Sequence, residues 1–306
     1  MDQSHDLILA AVQDYDWNDL RLFVTSLRAT GFDGEVHFFG SGLSRETVTR
    51  LESAAVSVSR PVRVRIKVGD LNLEPFRTEN RRLAQLQAIY WHLIRWLACF
   101  SGDRQTAIRR YTAAVSNLLV ARFFWYLDFL SQTQGRYQNV MITDVRDVVF
   151  LGNPFDFPIG NTACFFLEDD RTPINQQWAN TRWIIEAYGP RGVVDLGNYP
   201  ICCAGVTIGS VTAVIEYLKA MVDQLMRLRR QAWGVDQGVH NYVLRKGLVR
   251  NARLVSNGAG PVLTVGIMSD DDAYLLYESC ASRVKVLHQY DRRPGLAAAV
   301  HERFRS

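Results

Sequence analysis

Several features that mark whole classes of protein are missing from this sequence of 306 residues. No apolar run approaches the length that a bilayer-spanning helix needs, and no repeat or low-complexity segment is present. The first residues, MDQSHDLILAAV, carry acidic side chains where a signal peptide needs basic ones, so we expect a cytoplasmic location. A net charge of +4 is too small to require nucleic acid as a partner.

Cysteine and lysine are both scarce. The five cysteines form no CxxC pair and have mostly apolar neighbours, which argues against a disulfide framework or a cysteine-based zinc site. We therefore expect buried thiols in a reducing compartment. Only four of the 35 basic residues are lysines. Arginine suits phosphate and carboxylate ligands, so this bias is compatible with an anionic ligand, although a coding bias explains it more simply.

Strands and helices are predicted in short alternation along the chain. Residues 7–12 form a strand, residues 20–27 a helix, residues 34–39 a second strand and residues 44–51 a second helix. This order predicts an α/β fold with a mostly parallel central sheet flanked by helices. Because no linker divides the chain, we expect one domain over residues 1–306.

The remaining elements are predicted from the same patterns. Residues 79–132 are mainly helical, residues 200–210 form a buried strand and residues 211–231 a long amphipathic helix. Residues 71–77 and 191–199 are rich in turn-forming residues and are predicted to be connections.

Two aspartates stand where the central strand reaches the surface, in the stretch NVMITDVRDVVFLGNPF of residues 139–155. Aspartate is rarely buried unless it is paired or bound to a cation, so Asp144 and Asp147 could hold a divalent metal beside a phosphate. A strand ending in a helix cap and a surface salt bridge to Arg146 is the alternative. On a regular strand, Asp144 and Asp147 would point to opposite faces, and a bulge or the end of the strand could bring Asp147 back.

Other polar residues stand at strand ends or inside apolar helices. Ala11, Asp14 and Tyr15 follow the first strand, at the sheet edge that binds ligands in parallel sheets, but they equally suit the cap and staple of the next helix. Arg122 interrupts the apolar run LLVARFFWYLDFL and needs an anionic partner, either an anion at the nearby strand end or Asp128.

The C-terminal half adds three further groups of polar residues. Residues 175–188 form a predicted helix rich in amides and tryptophan, a composition typical of a sugar-facing or acceptor-facing segment. Asp236 and Gln237 open another helix, where aspartate is most often an N-cap. His288 ends a late strand, and the acidic and basic residues 291–293 follow it, a composition that suits a metal ligand with diphosphate-neutralising charges.

In their order along the chain, these motifs resemble those of GT-A fold glycosyltransferases, and most closely the retaining enzymes of glycosyltransferase family 8. The resembling positions are Ala11, Asp14 and Tyr15, then Arg122, then Asp144 at the first aspartate of the DxD motif, then Cys203-Ala204-Gly205-Val206, then Asp236-Gln237, and finally His288. The chain departs from the family at Arg146, which replaces the second aspartate of DxD, and at Cys203, which replaces a sugar-contacting asparagine.

The resemblance implies transfer of a sugar from a nucleotide diphosphate donor, most simply a uridine diphosphate sugar, to a glycan or lipid-linked acceptor. The implied setting is bacterial surface polysaccharide or lipopolysaccharide synthesis, with a nucleotide-binding part at about residues 1–150 and an acceptor-binding part at about 151–306. Arginines at the end of the helix 211–231 are compatible with peripheral contact with the inner face of the cell membrane.

The resemblance also implies a role for each site residue. Donor-binding residues are Ala11, Asp14, Tyr15, Arg122, Asp144, Gly205 and Arg292. The catalytic residues are Asp236 and Gln237. The ligands of Mn²⁺ or Mg²⁺ are Asp144, Asp147 and His288. An inverting enzyme would instead need a carboxylate base, for which Asp236 and Glu168 are candidates.

Three other functions share parts of this pattern. A nucleotidyltransferase has a similar fold, but the chain has no glycine-rich, lysine-bearing loop after its first strand. A phosphohydrolase with an aspartyl nucleophile needs an Asp-x-Asp sequence, and Arg146 takes its last position. The third is a metal-independent or inactive glycosyltransferase-like protein that serves as a binding or scaffold partner in glycan assembly, which Arg146 would permit.

Overall fold

The computed structural model describes residues 5–63, 66–68, 71–73, 92–94, 96–228 and 231–304. Much of the predicted helical segment before residue 92, together with residues 229–230, lies outside these ranges. Within them the chain forms an α/β fold whose central sheet has seven strands and is flanked by helices. The fold class predicted from the sequence is therefore confirmed.

The part before residue 151 supplies the first strands and helices. The strands are β1 (His5–Gln13), β2 (Glu35–Ser41), β3 (Val56–Ser59), β4 (Ile66–Val68), β5 (Leu71–Leu73), β6 (Tyr137–Thr143) and β7 (Val148–Phe150). The helices are α1 (Trp17–Ala29), α2 (Arg45–Ser53), α3 (Arg104–Val115) and α4 (Leu118–Gln132). Asp16, rather than Asp14, caps α1, because the Asp16 side chain accepts from the N–H groups of Asn18 and Asp19.

The part after residue 151 supplies the remaining elements. The strands are β8 (Ala163–Pro173), β9 (Pro200–Ser210), β10 (Ala252–Val255), β11 (Val262–Thr264) and β12 (Val286–His288). The helices are α5 (Trp178–Tyr188), α6 (Pro190–Leu196), α7 (Val211–Arg227), α8 (Val235–Arg245), α9 (Asp270–Cys280) and α10 (Pro294–Arg303).

The structure corrects two predicted connections. Residues 71–73 form β5, which pairs antiparallel with β4. Residues 190–196 form the helix α6, with Pro190 in its first turn. Gly189 and Pro190 suggest a turn in the sequence, yet proline at the first helical position needs no backbone N–H and favours the start of a helix.

One strand of the central sheet runs against the others. The strand order is β10-β8-β9-β6-β1-β2-β3, and β9 is antiparallel to both of its neighbours. The other six strands share one direction, so the sheet is mostly parallel. The start of β9 therefore lies at the same sheet edge as the ends of β6 and β8.

Alternating side chains of β1 divide the core between the two faces of this sheet. Leu7 and Leu9 belong to an apolar cluster with residues of α4 and α7, whereas Ile8 and Ala10 belong to a cluster with residues of α1. All four side chains are fully buried. The strand ends that carry polar residues are thus held between two packed layers.

A small second sheet places the late histidine beside the central strand. Its order is β11-β12-β7, in which His288 pairs with Thr264 on one side and with Val148 on the other. Since Val148 follows Asp147 directly, this pairing brings His288 to the turn after β6.

The structure also bears on the expectations about membrane-spanning segments and about the cysteines. No helix in the described ranges is both long and apolar enough to cross a membrane. Four of the cysteines are buried, as predicted, whereas Cys99 is exposed.

The contact between β9 and β8 gives a test of the packing. A Cβ atom on Gly209 would lie 2.6 Å from the backbone oxygen of Thr162 and 2.7 Å from the Cα atom of Ala163. We expect Gly209→Ala to lower the free energy of unfolding by about 1–3 kcal/mol, because backbone atoms must move to admit the methyl group. The exposed Gly102, whose added Cβ would meet nothing within 4 Å, is the control. Urea denaturation that finds equal stability for Gly209→Ala and Gly102→Ala would contradict this packing.

Candidate active site

A cavity of about 400 Å³ opens at the edge where β6 and β8 end and β9 begins. Residues of α4, α5, α8, β9 and the turn after β12 line it. Six of the predicted site residues belong to this lining, namely Arg122, Asp144, Gly205, Asp236, Gln237 and Arg292. The fold therefore brings together residues that lie up to 170 positions apart in the printed sequence.

The side chain of Arg122 joins two carboxylates at the base of the cavity. Its Nη1 donates to Asp144 Oδ1, and its Nη2 donates to Asp236 Oδ2 at 2.9 Å. Arg122 is only 5% exposed. Asp128, one of the two partners considered from the sequence, is not the partner of Arg122; the structure pairs Arg122 with the carboxylates of Asp144, at the strand end, and of Asp236. The N-cap of α8 is Gly234, so Asp236 is not a cap but the second partner of Arg122.

Charge in this network is set by burial and by the guanidinium together. Burial alone would raise the pKa of Asp144, but Arg122 and His288 outweigh it and hold that pKa below its usual range. Burial raises the pKa of Asp236, although Arg122 opposes the shift. Burial also raises the pKa of Glu168, a further carboxyl in the cavity lining. Asp144 is thus the carboxylate most firmly kept ionised.

Asp144, Asp147 and His288 form a compact cluster at one side of the cavity. One ligand atom from each lies within 4.8 Å of the others, and His288 Nε2 is 3.7 Å from a carboxylate oxygen of each aspartate. Strand β6 ends at Thr143, and the turn that follows returns Asp147 to the side of Asp144. The exposed Arg146 lies within this turn and outside the cluster.

The cluster fits a divalent cation. His288 is fully buried and its Nε2 has no hydrogen-bond partner among the described residues. Its Nδ1 lies 3.3 Å from Thr264 Oγ1, a contact that leaves Nε2 for a cation. A Cβ atom on Gly205 would lie 2.4 Å from the His288 ring and 2.7 Å from Asp144 Oδ2, so only glycine leaves this space open. Two carboxylates and one imidazole suit Mn²⁺ or Mg²⁺.

Gln237 uses its amide to hold the start of β9. Its Oε1 accepts from the Ala204 N–H at 2.7 Å, and its Nε2 donates to the Cys202 carbonyl at 2.8 Å and to Asn180 Oδ1 at 3.1 Å. Asn241, one turn later on α8, donates to the same Cys202 carbonyl at 2.9 Å. These bonds position the strand that carries Gly205.

Cys203 stands where the resemblance expects asparagine, and it contributes no charge. Burial raises the pKa of its thiol well above the usual value. Its Sγ lies 3.7 Å from His288 Nδ1 and accepts from the Gly205 N–H at 3.4 Å. The thiol therefore packs behind the cluster as a neutral group.

Ala11, Asp14 and Tyr15 lie at the neighbouring strand end, outside the lining of this cavity. The backbone of Asp14 is left-handed, with φ 56°, and its N–H donates to the Ser41 carbonyl at 2.8 Å. Burial raises the pKa of Tyr15, and the charges of the turn after β6 also act on it. The end of β1 thus borders the turn that carries both aspartates.

Of the two arginines after His288, Arg292 lines the cavity. Gln289 has a left-handed backbone, with φ 59°, and its N–H donates to the Asp147 carbonyl at 2.7 Å. This turn brings Arg292 close enough to act on the pKa of Asp147. Arg293 instead donates to Asp270 Oδ1 at 3.2 Å and to the Gly266 carbonyl at 2.9 Å.

Part of the cavity lining was not singled out from the sequence. It includes Gln177, Trp178, Asn180, Trp183, Trp233 and Gln289, of which the first five lie on or next to α5 and α8. The composition of residues 175–188 pointed to α5 in general terms. The sequence does offer a signal for Trp233, because this residue lies only three positions before the predicted site residue Asp236.

Comparison with known families agrees with this geometry. The model of the family described as nucleotide-diphospho-sugar transferase matches residues 112–292, more than half of the chain. The chain therefore belongs to the nucleotide-diphospho-sugar transferase family. Membership supports a glycosyltransferase that uses a nucleotide-sugar donor and an acceptor, and such enzymes usually bind a divalent metal. No curated protein matches the chain significantly.

The cluster of Asp144, Asp147 and His288 gives a direct prediction. We expect the protein to bind Mn²⁺ in calorimetric titration, and His288→Ala to weaken that binding at least about 100-fold because it removes the only nitrogen ligand that the cluster offers. The exposed Asp291 also acts on Asp147 but lies outside the cluster, so Asp291→Asn is the control and should change the affinity by less than about threefold. Equal Mn²⁺ binding by His288→Ala and the unmodified protein would refute the assignment.

The buried arginine gives a prediction about stability. Arg122→Ala leaves the buried carboxyl group of Asp236 and the half-buried one of Asp144 without their partner, so we expect the free energy of unfolding to fall by about 3–5 kcal/mol in the absence of metal. Arg136 forms an ion pair with Glu35 at the surface, with 60% of the arginine side chain exposed, and is the matched control. Arg136→Ala should cost less than about 1 kcal/mol. Denaturation curves that rank the two variants the other way would contradict the role of Arg122.

Proposed function

We propose that this chain transfers a sugar from a uridine diphosphate donor to a glycan or lipid-linked acceptor and retains the anomeric configuration. One observation carries the proposal: Asp144 belongs both to a cluster suited to a cation and to a buried arginine network in the same cavity. Family membership supports the transferase class. The order of motifs that resembles family 8 supports retention and a role in bacterial surface polysaccharide or lipopolysaccharide synthesis.

The donor diphosphate would lie beside the cluster of two aspartates and one histidine. Asp144, Asp147 and His288 would hold Mn²⁺ or Mg²⁺, which when bound supplies positive charge to the departing diphosphate. Arg292 lines the same cavity and adds a second positive group from the opposite end of the chain. Ala11, Asp14 and Tyr15, at the adjoining end of β1, would contact the nucleoside, in keeping with a nucleotide-binding part before residue 150.

The reacting sugar would lie next to Asp236. This carboxylate is fixed by Arg122, which also holds Asp144, so one guanidinium sets the position of the sugar-facing carboxylate relative to the cation ligand. A carboxylate in a buried site stabilises the positive charge that the sugar develops as its bond to the diphosphate breaks. Gln237 contributes through the β9 backbone that it holds.

Inversion is the second candidate mechanism, and Glu168 favours it. Glu168 is buried, lines the cavity, and has a pKa raised by burial, which brings a carboxyl group closer to the range of a general base. An inverting enzyme would use such a base to take the proton from the acceptor hydroxyl. The anomeric configuration of the product, read by proton NMR, distinguishes the two mechanisms.

Donor binding is the first test of this function. We expect uridine diphosphate to bind in calorimetry with Mn²⁺ and to bind at least about tenfold more weakly with a chelator, because the cation carries much of the diphosphate contact. Asp236→Asn should keep uridine diphosphate binding but lower the turnover of the UDP-sugar about 100-fold or more. Asp223→Asn, which alters a surface ion pair with Arg227, is the control.

Two results would speak against the proposal. If uridine diphosphate bound with the same affinity in Mn²⁺ and in chelator, arginine would have replaced the cation in neutralising the diphosphate. A lack of uridine diphosphate binding under all conditions would favour another nucleotide or the scaffold role.

A further inference from the structure

Three tryptophans surround the mouth of the cavity. Trp178 and Trp183 lie on α5, and Trp233 directly precedes the first turn of α8. Trp178 is 75% exposed and Trp233 is 52% exposed. Large indole rings are usually mostly buried, so two exposed ones at a single cavity mouth indicate a surface that binds something apolar.

The positions of these rings are built into the packing of α5 against α8. Gly234 has a left-handed backbone, with φ +80°, and a Cβ atom there would lie 2.2 Å from the Trp183 ring. A Cβ atom on Gly238 would lie 2.8 Å from the Trp183 carbonyl oxygen. The two glycines therefore let Trp183 and α5 lie directly on the backbone of α8. This close contact fixes the segment at Trp233 relative to α5.

Amide groups lead from this mouth to the base of the cavity. Gln177 Oε1 accepts from the backbone N–H and from Nδ2 of Asn180, at 2.9 and 3.2 Å. Asn180 Oδ1 in turn accepts from Gln237 Nε2 at 3.1 Å. Gln177 Nε2 donates to no group within the described ranges, so it is available to a ligand hydroxyl. Indole rings thus stand beside an ordered series of amides.

We propose that Trp178 and Trp233 form the acceptor subsite and that the acceptor presents a sugar ring to them. The inference rests on the proposed function, because it names the acceptor of the same cavity. A pyranose has an apolar C–H face and hydroxyl groups around its rim. The apolar face would lie on an indole ring, and the hydroxyls would reach the amide of Gln177.

The charges near the mouth favour a sugar over a membrane surface. The lining residues between 177 and 183 carry amide, alanine and indole side chains and no charge. Arg182, the nearest cation on α5, forms an ion pair with Glu186 at 2.9 Å. Docking onto anionic lipid needs several cations beside the aromatic rings, and the lining residues between 177 and 183 do not provide them.

The test is binding to an array of immobilised α- and β-linked hexose saccharides, with uridine diphosphate and Mn²⁺ present. We expect the unmodified protein to bind a subset of the saccharides and Trp178→Ala or Trp233→Ala to weaken that binding about tenfold, the effect of losing one aromatic stacking contact. Trp178→Phe should recover much of the loss because it restores an aromatic face. Trp96 is 58% exposed and lies outside the cavity lining, so Trp96→Ala is the control and should bind normally.

The outcomes separate this inference from the proposed function. Calorimetry with uridine diphosphate should give the same affinity for Trp178→Ala and the unmodified protein. A protein that binds uridine diphosphate but no saccharide, or whose saccharide binding is unaffected by both tryptophan variants, overturns the inference alone. Binding to vesicles of anionic phospholipid that is lost in Trp178→Ala overturns it in favour of a membrane surface. If the unmodified protein does not bind uridine diphosphate at all, the proposed function is overturned.

Discussion

The candidate site depends on one buried guanidinium. Arg122 lies on the buried face of the mostly apolar helix α4, where an unpaired charge would be strongly unfavourable. Its two terminal nitrogens reach Asp144 and Asp236, which come from elements far apart in the sequence. The planar fork of arginine makes this possible, whereas lysine offers a single point charge. The same contact therefore satisfies a buried charge and sets the distance between the two carboxylates that the proposed reaction needs.

The carboxylate of Asp144 can pair with Arg122 and still face a cation, because its two oxygens point to different groups. Oδ1 accepts from Arg122, while Oδ2 lies 3.7 Å from His288 Nε2 and faces the open space before Gly205. The arginine does not close the cluster to a cation, and it keeps the carboxylate ionised for one. Strand β9 completes the arrangement, since its antiparallel course carries Gly205 between the ends of β6 and β8.

The sequence predicted the fold class and many of the residues of the candidate site, but it did not predict how those residues are arranged. Periodicity and short connections were enough for the mostly parallel sheet, because they reflect local physics. The local pattern could not show whether the strand continues past Thr143, so it left open whether a bulge or the strand's end brings Asp147 to the side of Asp144. Asp236 resembled an N-cap because its partner, Arg122, lies 114 positions away. Helix α6 was missed because its glycine and proline have the same local meaning in a turn and at a helix start.

The balance of charge in this cavity favours a cation. In the cluster itself, burial lowers the pKa of His288, but Asp147 and Asp144 outweigh it and the net shift is upward. A proton on His288 is thus favoured when nothing else neutralises the two carboxylates. A divalent cation on Nε2 would take the place of that proton and leave the imidazole neutral. The excess charge of such a cation, together with Arg292, would then meet the negative charge of a diphosphate. Arg146, exposed in the turn between the two aspartates, is not placed to supply the same charge inside the cluster.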